Sequence, residues 1–425
     1  MALKVKVGLF GLLDMLKFKN MAKIRERKIQ KTKAKEICGT FKINENAKTL
    51  HPDILNLEIS EILEHKNAGA KTFIFEDVNK NPLPYFRAGQ YLCVNSEING
   101  EYISRPYSIC SSPKLALEGK LAITIKKTPE NADGFAANYF LENWKPGTKI
   151  TASSPQGQFF YEKMRDGQNV LALAGGSGIT PFLSMAYAIR DGIENFNLTI
   201  LFGSRNKKSI LFYDELNEIT KATRKVKVVH VLSDENADSS SDSTDDENSG
   251  SNSDVNSENF EKGFITADLI KKYATADDFS IFVCGPKGMY DFIDKELLKL
   301  NLPQRKIRKE ISGAIKNVSS FKEFPEDAKG KIFKISIKQG NKNTVIEAKS
   351  EESILVSLER AKIKSQSRCR SGECGWCRTK LLSGNVFIPQ QNDGRRFSDK
   401  EFNYLHICAS FPLSNLEIEV SPEQI

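Results

Sequence analysis

Four cysteines in the last part of the chain are spaced to hold iron. Cys369, Cys374 and Cys377 follow a C-x4-C-x2-C pattern, and Cys408 stands alone further on. Plant-type [2Fe–2S] clusters are held this way, by three thiolates from one loop and a fourth from elsewhere. Such a loop must wrap its cluster closely, and Gly372 and Gly375 remove the Cβ atoms that would obstruct it. Backbone N–H groups can then point at the sulfides. A structural zinc site is the alternative, although zinc sites usually pair two short knuckles. A Rieske centre does not fit, because His51, His65, His230 and His406 do not supply two ligands at cysteine-histidine spacing.

Two other stretches stand out, and the first of them suggests phosphate binding. Ala174-Gly175-Gly176-Ser177-Gly178-Ile179-Thr180-Pro181 follows an apolar run and opens a helix, so its N–H groups would face an anion at the positive helix end. It has neither the lysine of a Walker loop nor the third glycine of G-x-G-x-x-G, which argues against an ATPase and a standard dinucleotide fold. Arg105-Pro106-Tyr107-Ser108 closes a strand. Taken singly, either stretch could be no more than a tight turn.

The elements that must carry these residues change character along the chain. Six short strand signals between Leu55 and Ala152, with a helix at Phe135–Leu141, predict a small antiparallel barrel. From Asn169, apolar runs (170–174, 198–202, 226–232, 280–284) alternate with helical stretches (180–189, 213–220, 287–300), as in a doubly wound parallel sheet. A strand pair (331–338, 344–348) and a helix at 353–362 lead into the cysteine loop. The expected organisation is a basic extension at 1–53, an antiparallel barrel at 54–160, a parallel-sheet α/β domain at 161–312, a polar linker at 313–330 and a smaller α+β domain carrying the cysteine loop at 331–425. No internal repeat is evident.

Charge is unevenly placed. Residues 1–36 hold 11 Lys/Arg against 3 Asp/Glu, whereas residues 234–261 hold 10 Asp/Glu and no Lys/Arg. The acidic stretch has almost nothing apolar to bury, and disorder is expected there. Residues 1–20 read either as a helix lying on a bilayer surface or as a helix packed on the body or on a second subunit. Nucleic acid binding is not expected, since no recognised module accompanies the basic residues. No apolar stretch reaches the ~20 residues of a membrane span. Eight cysteines in 425 residues are too few for a disulfide framework, so a reducing cytoplasm is expected, with peripheral contact at the inner face of the membrane under the first reading of residues 1–20.

In order, Arg105-x-Tyr107-Ser108, the Gly175–Pro181 loop, Cys284-Gly285-Pro286-x-Gly288-Met289, the 307–311 strand with Glu310 and the four cysteines resemble the ferredoxin–NADP reductase-like flavoprotein family with a plant-type ferredoxin domain at the carboxyl end. The resemblance covers about Leu55 to the terminus, and it implies an FAD-binding barrel at 54–160, an NAD(P)-binding domain at 161–312 and a ferredoxin-like, β-grasp [2Fe–2S] domain at 331–425. It implies that Tyr107 lies against a flavin ring, Arg105 pairs with the flavin pyrophosphate and Ser108 hydrogen-bonds near N5, with Pro106 between them. Ile125 and Lys126 would line the phosphate side, and Gly134-Phe135-Ala136-Ala137 would start a helix facing the pyrophosphate. Relatives often carry serine at the position of Ala137, so one side-chain phosphate bond is missing here. The turn Pro155-x-Gly157-x-Phe159 favours FAD over FMN.

For the pyridine nucleotide, the resemblance implies that Gly175, Gly176, Ser177, Gly178, Ile179 and Thr180 receive the pyrophosphate. Cys284, Gly285, Pro286, Gly288 and Met289 would border the nicotinamide, and Glu310 would relay protons or orient that ring, unless it is a salt-bridged surface residue. Ser233 is followed by Asp234, which would accept a ribose 2′-hydroxyl and repel a 2′-phosphate; Ser204-Arg205 pulls toward NADPH. NADH is favoured. Ser108, Cys284 and Glu310 are the expected catalytic set, and Cys369, Cys374, Cys377 and Cys408 the metal ligands. The implied activity is hydride transfer from NADH to FAD and then single-electron transfer through the cluster to an acceptor redox protein, an oxygenase, a hydroxylase or another metalloenzyme. The alternatives are a membrane-surface quinone or small-acceptor reductase and a non-catalytic redox sensor.

Overall fold

Alternating apolar residues in Leu55, Leu57 and Ile59, and again in Phe73 and Phe75, point to one interior and bury it almost completely. The computed structural model describes residues 9–31, 41–98, 100–128, 135–234, 260–274, 278–310, 313–315 and 317–421. The chain divides into two units, 1–49 and 50–425. The first holds helix α1 (Leu9–Lys31) and most of α2 (Lys42–Leu50). Helix α1 runs past the expected end at residue 20, because Met21–Lys31 is rich in strong helix formers.

The larger unit begins with β1 (Ile54–His65), β2 (Ala70–Asp77), β3 (Tyr91–Ile98), β4 (Glu101–Ser108), α3 (Pro113–Leu117), β5 (Lys120–Lys126), α4 (Phe135–Asn143) and β6 (Lys149–Ser153). These strands form an antiparallel sheet in the order β4-β3-β6-β1-β2-β5. Its ends curl together where Cys110 N donates to Ala122 O at 2.9 Å and Ile109 bridges Ile123. The interior holds Phe73, Phe75, Leu92, Val94 and Phe140, with Phe140 stacked on Trp144.

A parallel sheet follows. It comprises β7 (Asn169–Gly175), α5 (Thr180–Arg190), β8 (Asn197–Ser204), α6 (Tyr213–Ala222), β9 (Val226–Leu232), β10 (Phe260–Lys262), α7 (Ala267–Tyr273), β11 (Phe279–Cys284), α8 (Lys287–Lys299) and β12 (Ile307–Lys309). The strand order is β10-β9-β8-β7-β11-β12, all parallel. Successive residues of β7 serve opposite faces: Val170 and Ala172 pack with α5 and α6, and Leu171 and Leu173 with α7 and α8. The barrel rests on the α5 face through Ala70, Ala88, Cys110 and Ala122. Neither β10 nor α7 is expected from the sequence, because three and seven residues are too short to show a period. The disorder expected over 234–261 does not hold at its two ends: Phe260 and Glu261 belong to β10, paired in parallel with His230 and Val231 of β9, and Asp234 donates its N–H to Arg205 O. Residues 235–259 lie outside the described residues.

The last part contains β13 (Ile332–Gln339), β14 (Lys342–Lys349), α9 (Ile354–Arg360), β15 (Arg378–Ser383), β16 (Val386–Phe387), α10 (Phe397–Glu401), β17 (Tyr404–His406), β18 (Phe411–Pro412) and β19 (Leu416–Val420). A five-stranded mixed sheet, β14-β13-β19-β15-β17, packs its Ile335, Ile337 and Ile418 against Leu355 and Leu358 of α9. Residues 313–330 differ from the polar linker expected. Val318, Phe324 and Ala328 are buried against Phe387 and Phe411, so apolar residues at wide spacing tie this segment down.

Candidate active site and cluster loop

Ser108 ends β4, Cys284 ends β11 and Glu310 follows β12. Because β12 pairs beside β11, Val283 opposite Lys309, the next residues Cys284 and Glu310 become neighbours. Ser108 Oγ donates to Glu310 Oε2 at 3.0 Å, and Cys284 Sγ donates to the same oxygen at 3.1 Å. The three residues expected to do chemistry therefore converge from two folds. Glu310 N donates to Val283 O at 3.0 Å, and Tyr290 OH donates to Glu310 O. Tyr290 is a residue sequence reasoning missed, although it directly follows the Gly288-Met289 motif.

Glu310 is 6% exposed, so the alternative of a salt-bridged surface residue does not hold. Burial raises its pKa to about 7, against the lowering effect of the Cys284 and Ser108 hydrogen bonds. Burial, then the facing Glu310 charge, pushes the Cys284 thiol well above its ordinary 9.0. Near neutral pH this set is thus a neutral thiol, a hydroxyl and a carboxyl that can gain or lose a proton.

The glycine loop is pressed onto the segment after β11. A Cβ on Gly178 would lie 2.2 Å from Cys284 O, and one on Gly175 would lie 2.4 Å from Met289 Sδ. Gly176 has φ +54°, and Thr180 Oγ1 donates to Ser177 O at 2.9 Å. Only a chain without side chains at these points brings 175–180 and 284–289 together. Ile179 is itself buried in the core. At the neighbouring strand ends, Ser233 N donates to Ser204 O at 3.1 Å and Asp234 N to Arg205 O at 2.9 Å, so those four residues also meet. Lys126 reaches the same side, its Nζ 3.8 Å from the Gly176 Cβ position; burial, then the charge of Arg205, lowers its pKa. A cradle of bare backbone with two cations beside it fits a nucleotide diphosphate.

In the flavin strand, Tyr107 packs edge-on against Phe140, centroids 6.4 Å apart. Pro106 pairs with Cys93 across β3. Ile125 and Ala136 turn their side chains into the barrel core, which leaves only their backbone for a ligand, whereas Phe135 is exposed and Ala137 partly buried. Gly134 lies outside the described residues. Arg105 donates to Ser104 O at 3.0 Å and lies 3.6 Å from Glu359 of α9, a partner the sequence did not suggest.

The cluster loop fits a [2Fe–2S] group. Cys377 and Cys408 sulfurs are 3.3 Å apart, and backbone N–H groups of Gly372, Cys374 and Trp376 donate to the sulfurs of Cys408, Cys369 and Cys374 at 3.3, 3.4 and 3.5 Å. Such donors stabilise thiolates and added negative charge. The four sulfurs lie in one row of neighbours, Cys374 beside Cys369, Cys369 beside Cys408 and Cys408 beside Cys377, so all four thiolates converge on one place. Gly372 has φ +89°, and a Cβ there would lie 2.1 Å from Asn392 O. His406 braces the loop from behind, its Nδ1 on Gly372 O. Cys369 packs against Tyr91 and Cys93 of β3, whereas Cys374 and Trp376 are exposed, with the Arg368 guanidinium 3.3 Å over the Trp376 ring.

Comparison with family models matches an oxidoreductase FAD-binding domain at 65–161, an oxidoreductase NAD-binding domain at 172–295 and a 2Fe-2S iron-sulfur cluster binding domain at 337–413. The chain belongs to the ferredoxin–NADP reductase-like flavoproteins with a carboxyl-terminal [2Fe–2S] domain. This flavoprotein is an NAD(P)H-dependent iron–sulfur oxidoreductase. It is 25% identical to the glycine betaine monooxygenase reductase subunit of Chromohalobacter salexigens, over 82% of this chain and 91% of that one. It is 27% identical to the ferredoxin reductase component of 3-ketosteroid-9-alpha-monooxygenase of Mycobacterium tuberculosis, over 87% and 96%. The solved structure of phthalate dioxygenase reductase shares its fold, with a TM-score of 0.57 at 23% identity, covering 87% of this flavoprotein and 98% of that chain. No helix among the described residues is long and apolar enough to cross a membrane.

Proposed function

We propose that this flavoprotein is the NADH-dependent reductase component of an oxygenase- or hydroxylase-type system, passing single electrons from its cluster to a separate acceptor protein. The observation that carries this reading is the two-sided setting of the cluster loop: Cys369 is packed on the flavin-type barrel, and Cys374 faces solvent. The names of the monooxygenase reductase relatives support it. When bound, FAD accepts a hydride and releases its electrons singly, and a [2Fe–2S] cluster relays one electron at a time.

The chain's own residues supply position and proton control. Arg105 would hold the flavin diphosphate by its planar fork and Tyr107 would flank the ring. Gly176–Thr180, with Lys126 and Arg205, would seat the nucleotide diphosphate. Cys284 offers a small neutral wall beside the nicotinamide, Ser108 keeps a hydroxyl at the reacting edge, and Glu310 takes or returns a proton through Ser108. Cys369, Cys374, Cys377 and Cys408 would ligate the irons. Asp234 supports NADH over NADPH.

The test uses the reconstituted protein. Cys374→Ser should keep NADH-to-ferricyanide activity and lose cytochrome c reduction, and retention of both would remove the cluster from the path. A finer proposal is that residues 1–20 contact a membrane surface, supported by the half-exposed Leu13 and Leu16 of α1. Deleting residues 1–36 should then release the protein from anionic liposomes; unchanged co-sedimentation would count against it.

A further inference from the structure

The cluster loop and the flavin strand are joined by charge as well as by the Tyr91–Cys93–Cys369 contact. Glu359, in the last turn of α9, is shared by two arginines. Arg370, which is 2% exposed and follows the ligand Cys369, donates through both terminal nitrogens to the Glu359 carboxylate, Nη2 to Oε2 at 2.9 Å. Arg105 of β4 brings its Nη1 to 3.6 Å from Oε1 of the same group. A single carboxylate thus faces one guanidinium group of its own fold, Arg370, and one across the boundary with the barrel, Arg105. Ser104 Oγ, beside Arg105, donates to Ser367 O at 3.5 Å, so the backbone before the cluster loop is held at the same place.

We propose that Glu359 is a positioning residue that docks the cluster loop on the flavin strand and competes with the flavin diphosphate for Arg105. The inference rests on the reading of Arg105 as a diphosphate-binding residue. An arginine fork meets a diphosphate with two parallel hydrogen bonds, and a carboxylate beside it both shares that cation and repels the second anion. On its other side the carboxylate holds Arg370, whose backbone leads directly to Cys369. Docking and flavin affinity therefore depend on Glu359 with opposite signs. A residue that merely stabilised the fold would, on removal, weaken both.

Full-length Glu359→Gln, reconstituted with FAD and cluster, separates these effects. Its FAD dissociation constant, read from the return of flavin fluorescence on dilution, should fall about three- to fivefold, the effect expected of one partly exposed ion pair. After anaerobic mixing with NADH, flavin bleaching should proceed at the wild-type rate while cluster bleaching slows about 10- to 100-fold, as a displaced acceptor would dictate. Glu359→Asp, which keeps the charge, should return the FAD constant toward wild type. An FAD affinity that is unchanged or weaker in Glu359→Gln, or a cluster that bleaches at the wild-type rate, overturns the proposal. If the glutamine leaves Arg370 too poorly paired to retain iron and sulfide, the double variant Glu359→Leu/Arg370→Met replaces the buried pair by apolar side chains and is judged by the same two readouts. Arg105→Ala tells the two failures apart: unchanged FAD affinity there refutes the diphosphate reading of Arg105, and lost affinity there with no gain in Glu359→Gln refutes the role of Glu359 alone.

Discussion

Glu310 shows how far one side chain depends on its surroundings. In the fold it keeps its proton up to about pH 7, while in the unfolded chain it does so only to the ordinary 4.5. The folded state therefore binds this proton more tightly, and the associated stability is full below pH 4.5 and lost as pH rises through 7. Its size is on the order of 3 kcal/mol. Glu310→Gln should accordingly lose less Tm than the parent between pH 5 and pH 8, and kcat/KM for NADH should lose an ionisation near neutrality. Parallel Tm and kcat/KM profiles in the two proteins would show that Glu310 neither gates the proton nor limits stability. Asp234 acts at the same scale. Its N–H binds Arg205 O, so Asp234→Arg would set a second guanidinium at that strand end. The ratio of kcat/KM for NADPH to that for NADH should rise about tenfold; a constant ratio would mean that Asp234 does not read the ribose.

At the scale of elements, two glycines from the two facing motifs, 175–181 and 284–289, behave oppositely. Gly178 lies where the turn into α5 touches the end of β11, and any Cβ there meets the Cys284 carbonyl. Gly178→Ala should displace the loop at a cost of about 1–3 kcal/mol and raise KM for NADH while leaving FAD content unchanged. Gly288, in the first turn of α8, has nothing within 4 Å of its Cβ position. Gly288→Ala should raise Tm slightly, because alanine restricts the unfolded chain and favours the helix. If both variants left KM alone, the close approach of the loop to β11 would have no part in seating the nucleotide.

The whole molecule joins three folds so that each boundary carries part of the site. Between the barrel and the parallel sheet lies the Ser108–Glu310–Cys284 set, and between the barrel and the carboxyl-terminal fold lies Cys369 with Tyr91, Cys93 and the Glu359 bridge. Much of this was readable in the chain itself. Strand and helix periods are local, so the six barrel strands, the alternating β/α run and the strand pair and helix that open the last fold appear in the residues directly, whereas β15, β17 and β19, which complete its sheet, do not; the C-x4-C-x2-C spacing and the 175–181 loop are local for the same reason. Three features depend on distant segments meeting. Glu310 could be a surface residue or a buried one until β12 is seen beside β11. Val318 and Phe324 look like parts of a polar linker until Phe387 and Phe411 cover them. Arg105 shows no partner in sequence, because Glu359 stands some 250 positions away on another fold. Sequence alone determined which groups the chain is equipped to hold, since ligand spacing and turn chemistry are written in neighbouring residues. Only the tertiary structure decided which charges face each other across the boundaries, because burial and Coulomb energy depend on distance in space and not along the chain.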